Sequence, residues 1–116
     1  MHLDRRKAAS MIGLAMKAGK VASGEFAAER AVKQGKAYLV ITAEDASGNT
    51  QKKFQNMCTY YQVPYQQFLS KEELGMTIGK EYRACLAVLD PHLADAILKQ
   101  LMEEAPGDAA AAKTHK

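Results

Sequence analysis

The chain has 116 residues, no tryptophan and three phenylalanines, so aliphatic side chains must fill its core and each ring at an exposed position carries information. Its two cysteines, Cys58 and Cys85, stand far apart and outside any CxxC pair. Neither a zinc site nor a disulfide framework is suggested, and a reducing, cytoplasmic setting is expected. No apolar run is long enough to cross a bilayer, and after MHLDRRK the residues Lys17 and Lys20 interrupt what could have become a signal-peptide core. A soluble protein without a membrane partner is expected.

Catalytic patterns are missing as well. His2, His92 and His115 lie near the termini or at a helix start, and no G-x-S-x-G elbow or H-E-x-x-H pair occurs. Gly13 to Lys20 approximates a phosphate loop. However, five residues separate its two glycines instead of four, Val21 stands where Ser or Thr would hold magnesium, and no strand precedes it. Glu44-Asp45 and Glu72-Glu73 are adjacent carboxylates on turns, where charge at a helix N-terminus is the ordinary role.

What the chain does have is a lopsided charge distribution. Residues 1–36 carry a net +5, residues 37–70 balance, and residues 71–104 carry −3, within an overall +3. Such asymmetry suits a basic face for a polyanion, although a solvated surface gives the same pattern.

Helical and strand patterns alternate along the sequence. Asp4 is positioned to cap a helix with apolar positions at Ala8, Met11, Ile12 and Ala15, closed by Gly19. A short strand is expected at 21–23, a helix opened by Gly24 running to Gln34, and a buried strand at 38–42, YLVIT. Ser47 or Asn49 then caps a helix reaching about Tyr61, and a strand is expected at 65–68. Ser70 to Glu73 is an S-x-x-E capping box for a short helix, ended by Gly75 or Gly79. A strand at 84–89 is followed by Asp90-Pro91, an N-cap before a proline in the first helical position, which opens the last helix. Residues 1–104 are thus expected to form one domain, with 105–116 a flexible, disordered tail. The alternation predicts an α/β fold with helices on both faces of a mainly parallel sheet, and ligands outside the carboxyl ends of its strands.

One of those ends contains an anomaly. At roughly 100° per residue, Ala28, Ala31 and Val32 lie opposite Phe26, whereas Arg30 and Lys33 lie close beside it. A phenylalanine is therefore expected on the wet face of the second helix, among cations. The plainer alternative is that the ring folds back over Val21 or the end of the first helix as a local staple.

Two stretches in this order, SGEFAAERAVKQGKAYLVITAED and YQVPYQQFLSKEELGMTIGK, make the chain resemble the kink-turn-binding ribosomal proteins of archaeal and eukaryotic large subunits, and their bacterial YlxQ branch in particular. The resemblance spans roughly residues 5–100. It implies a three-layer α/β/α sandwich with a four-stranded mixed sheet, no cofactor, no metal, no small-molecule substrate and no catalysis. It also implies a structured RNA partner, ribosomal RNA first, with ribosomal proteins as candidate neighbours.

In that family a G-x-N-E-x-x-K pattern at the start of the second helix lies against the RNA. Here Gly24 and Arg30 keep the glycine and a cation, whereas Phe26 and Ala27 replace the asparagine and glutamate; Glu25, Lys20 and Lys33 flank them. Lys71, in Ser70 to Gly75, matches a lysine placed near a flipped-out nucleotide. The loop 79–83 falls where the family packs an apolar turn on the RNA, and here supplies Lys80, Tyr82 and Arg83, a chemistry of phosphate contact and base stacking. Two other functions stay open at this level. One is a protein-interaction module anchored on Phe26 and Tyr82; the other is an enzyme subunit, although the chain is too short for a second catalytic domain.

Overall fold

The computed structural model describes residues 3–104, and the tail expected at 105–116 lies outside them. Nine elements follow in the expected alternation: α1 (Leu3–Lys17), β1 (Val21–Ser23), α2 (Glu25–Lys33), β2 (Leu39–Thr42), α3 (Gly48–Tyr61), β3 (Tyr65–Gln67), α4 (Lys71–Thr77), β4 (Cys85–Val88) and α5 (Pro91–Glu104). Helix α1 begins at Leu3, one residue ahead of the Asp4 expected to cap it. The other start signals act where they were read. The Ser47 side chain accepts from the Thr50 N–H, Ser70 and Glu73 form a reciprocal capping box, and the Leu93 N–H donates to Asp90 Oδ2 at 2.9 Å.

The sheet has the order β1-β4-β2-β3. It is mixed, and the expectation of a mainly parallel sheet is corrected. Only β2 and β3 run parallel, while β4 runs antiparallel to both β1 and β2. The reason lies in the connections: α4 returns the chain so that β4 enters between β1 and β2 in the opposite direction. The YLVIT run supplies the inner strand β2, with Leu39, Val40 and Ile41 fully buried, whereas Tyr38 falls outside the strand and is 42% exposed.

Side-chain alternation on the two inner strands divides the core into two layers. Leu39, Ile41, Leu86 and Val88 pack with Ile12, Leu74 and Ile97, from the layer of α1, α4 and α5. Val40, Cys85 and Ala87 pack with Val32, Phe54 and Cys58, from the layer of α2 and α3. The result is an α/β/α sandwich in which α2 lies against β1 and β4, with its N-terminus at the carboxyl end of β1. Among the described residues no helix is long and apolar enough to cross a membrane.

Candidate nucleic-acid interface

Gly24 turns the chain from β1 into α2 with φ 94° and ψ 162°, a backbone region open in practice only to glycine. Its N–H is not available to a ligand, because it donates to the Cys85 carbonyl at 2.9 Å. Its carbonyl accepts from Ala28 at 2.9 Å, and glycine offers no side chain to cap the helix. The donors left without intrahelical acceptors are therefore those of the next residues, Glu25, Phe26 and Ala27, at the positive end of the helix dipole.

The position of this end is fixed from α3. Thr50 Oγ1 donates to Glu25 Oε2 at 3.0 Å and itself receives the Ser47 hydroxyl at 3.0 Å. One turn further on, Glu29 pairs with both Lys33 and Lys53, at 2.8 Å each. The hydrogen bonds from Lys33 and Lys53 hold the Glu29 carboxyl down at about 2. Two expected contact residues are thereby redirected: the Glu25 carboxylate faces Thr50, and the Lys33 ammonium faces Glu29.

Phe26 stands out from the helix with 74% of its surface exposed, so it is not a staple over Val21. Arg30 accompanies it, the guanidinium carbon lying 5.7 Å from the ring centroid. Next to the ring is an open cleft of about 450 Å³, walled on the other side by Tyr82, Arg83 and Ala84. Tyr82 is 62% exposed, so it does not cover core.

The loop bearing Tyr82 is held at three points. Arg83 Nε donates to Ser23 Oγ at 3.1 Å, the Arg83 N–H donates to the Lys71 carbonyl at 3.1 Å, and the Lys80 N–H donates to the Gly75 carbonyl at 2.8 Å. Gly75 permits this approach, because a Cβ there would lie 2.5 Å from the Glu81 carbonyl oxygen. Asp45 then accepts from the Lys71 N–H at 2.8 Å, so it serves as negative charge at the N-terminus of α4.

The structure thus brings Gly24, Phe26, Ala27, Arg30, Tyr82 and Arg83 together, with Lys71 and Lys80 on the segments that support the loop. It does not bring Lys20 there. That residue precedes β1 at the end opposite Gly24, where its carbonyl accepts from Leu89. Ser23 and Gly75 belong to the arrangement and were missed. A serine ending a short strand carries no signal of a partner sixty residues away, and the close approach at Gly75 is visible only once α4 and the loop are packed. Chemically, the cleft offers backbone donors, the Arg83 guanidinium and two exposed rings, with Arg30 beside the Phe26 ring, and no metal-binding cluster occurs among the described residues.

The family described as ribosomal protein L7Ae/L30e/S12e/Gadd45 matches residues 6–97. The Bacillus subtilis (strain 168) "RNA-binding protein YlxQ" is 43% identical over 91 residues, which is 78% of this chain and 91% of that protein. The "Large ribosomal subunit protein eL30" of Spodoptera frugiperda is 33% identical over 90 residues, or 76% and 80% of the two chains. Among solved structures, a protein of unknown function from Bacillus halodurans C superposes with a TM-score of 0.79 at 33% identity, covering 81% of this chain and 95% of that one. The Giardia lamblia 15.5kD RNA binding protein does so with 0.71 at 21% identity, covering 82% of each chain, a likeness of fold alone.

Proposed function

The chain belongs to the ribosomal protein L7Ae/L30e/S12e/Gadd45 family, and on that footing we propose that it is a non-enzymatic, ribosome-associated RNA-binding protein. Its RNA is a kinked or bulged structured RNA, ribosomal RNA first, held at the N-terminus of α2 and the 79–83 loop. The similarity to a protein named for RNA binding supports the partner. The observation that carries the site is the exposed Phe26 ring beside Arg30, facing Tyr82 across one cleft.

The division of labour follows from the chemistry. The first-turn N–H groups and dipole of α2 meet a phosphate, and Arg30 and Arg83 supply guanidinium donors. Phe26 and Tyr82 stack on unpaired bases, an interaction that tolerates any base. Because Phe26 and Ala27 lack the polar atoms of asparagine and glutamate, they do not read guanine edges in sheared G·A pairs. The protein therefore recognises the shape of the kink more than its sequence.

The test is fluorescence anisotropy with a bulged RNA duplex and its unbulged counterpart over a salt series. Tighter binding of the bulged duplex is expected, with log K falling by about 0.7–0.9 per log unit of salt for each phosphate contact. Equal affinity for the two duplexes, or a flat salt dependence, would refute the proposal.

A further inference from the structure

We propose that the bound RNA strand crosses Phe26 and seats one further nucleotide in a second groove on the other flank of α2; this rests on the assignment of the α2 N-terminus to RNA. The groove, about 260 Å³, runs between α2 and the edge strand β1. Ala22, Ala31 and Leu89 form an apolar floor, and Arg30, Gln34 and Lys36 a polar margin. Phe26 and Ala27 line both this groove and the first cleft, so the ring is the partition between them.

Charge and continuity select the occupant. The groove presents two cations and no carboxylate. Lys33, nearby on the same helix, is committed to Glu29. In contrast, neither the Lys36 ammonium nor the Gln34 side-chain amide has a protein partner among the described residues. Lys36 is set at the groove's end by the reversal after α2, where its N–H donates to the Ala31 carbonyl at 2.9 Å. The space is below the roughly 300–1,000 Å³ of pockets for larger organic ligands, which suits a single base rather than a peptide segment.

A base lies flat on the alanine and leucine floor, where small side chains leave its face unobstructed. The Gln34 amide, both donor and acceptor, meets the base edge, and Arg30 and Lys36 take the phosphates on either side. Phe26 then stands between two successive nucleotides, one in each recess. Arg30, beside the ring and on the groove margin, bridges the two.

The experiment is anisotropy on the full chain with a fluorescein-labelled, bulged RNA duplex, comparing Lys36→Gln, Gln34→Ala and their combination with Lys52→Gln, a control for lost charge on α3. Lys36→Gln should weaken binding by about 3-fold or more and flatten the salt slope by about 0.7, with the double variant reaching about 10-fold. Lys52→Gln should change affinity by less than about 2-fold, and all variants should melt like the parent. If the groove variants match Lys52→Gln while Phe26→Ala still weakens binding, the second groove is refuted and the first cleft stands. If the parent chain shows no salt-dependent RNA binding, both readings fall together.

Discussion

Arg83 Nε donates to Ser23 Oγ across 3.1 Å, joining residues 60 apart in sequence. The same guanidinium donates through Nη1 to the Tyr82 carbonyl at 2.7 Å, so one side chain holds the loop against the end of β1. Ser23→Ala removes the acceptor without creating a core void. Stability should fall by no more than about 1.5 kcal/mol, while RNA affinity falls by about 3-fold because the Tyr82 wall of the cleft loosens. Thermal melts and anisotropy on one sample check both.

Gly75→Ala acts on the same loop from the other side. The added methyl would lie 2.5 Å from the Glu81 carbonyl oxygen and 2.9 Å from the Tyr82 nitrogen, both backbone atoms, so the loop must move. The expected outcome is a lower Tm together with faster amide exchange at 80–83. Unchanged exchange there would contradict the described packing.

The elements legible in sequence are those specified locally. YLVIT reads as a buried strand because its apolar run is continuous, and Ser70 to Glu73 reads as a cap because both hydrogen bonds close within three residues. Phe26 could be placed on the wet face because helical angle depends only on neighbours. Strand direction could not be read: β4 pairs with β1 across more than sixty residues, and its apolar pattern is the same in either orientation. The fate of Glu25 was hidden for a related reason, since Thr50 reaches it from another helix, whereas the Lys33 pair with Glu29 closes within one turn of α2 and carries a local i,i+4 signal.

Glu29 makes a signed prediction about pH. Its carboxyl is lowered from 4.5 to about 2 by the Lys33 and Lys53 hydrogen bonds. A depressed carboxylate stabilises the fold above its unfolded value, and that contribution disappears as the pH falls through the folded value. Glu29→Gln should therefore lower the urea midpoint at pH 7, and the gap to the parent should narrow steadily between about 4.5 and about 2. A gap independent of pH would show that the pairs do not form.

The cysteines should be chemically quiet. Burial pushes the Cys58 thiol up to about 11 and Cys85 up to about 12, and the thiolate is the reactive form. Iodoacetamide at pH 8 should leave both unmodified in the native protein and alkylate both in urea. Rapid native labelling of Cys85, on the inner strand β4, would contradict its burial.

The central claim rests on Phe26, and the most direct measurement is Phe26→Ala, followed by RNA anisotropy and thermal melting together. The ring is 74% exposed, so its loss leaves no cavity. Stacking is worth about 1–3 kcal/mol per base, so the account predicts affinity for a bulged RNA weakened by roughly 5-fold or more, with Tm nearly unchanged. A lowered Tm with undiminished RNA affinity would contradict it.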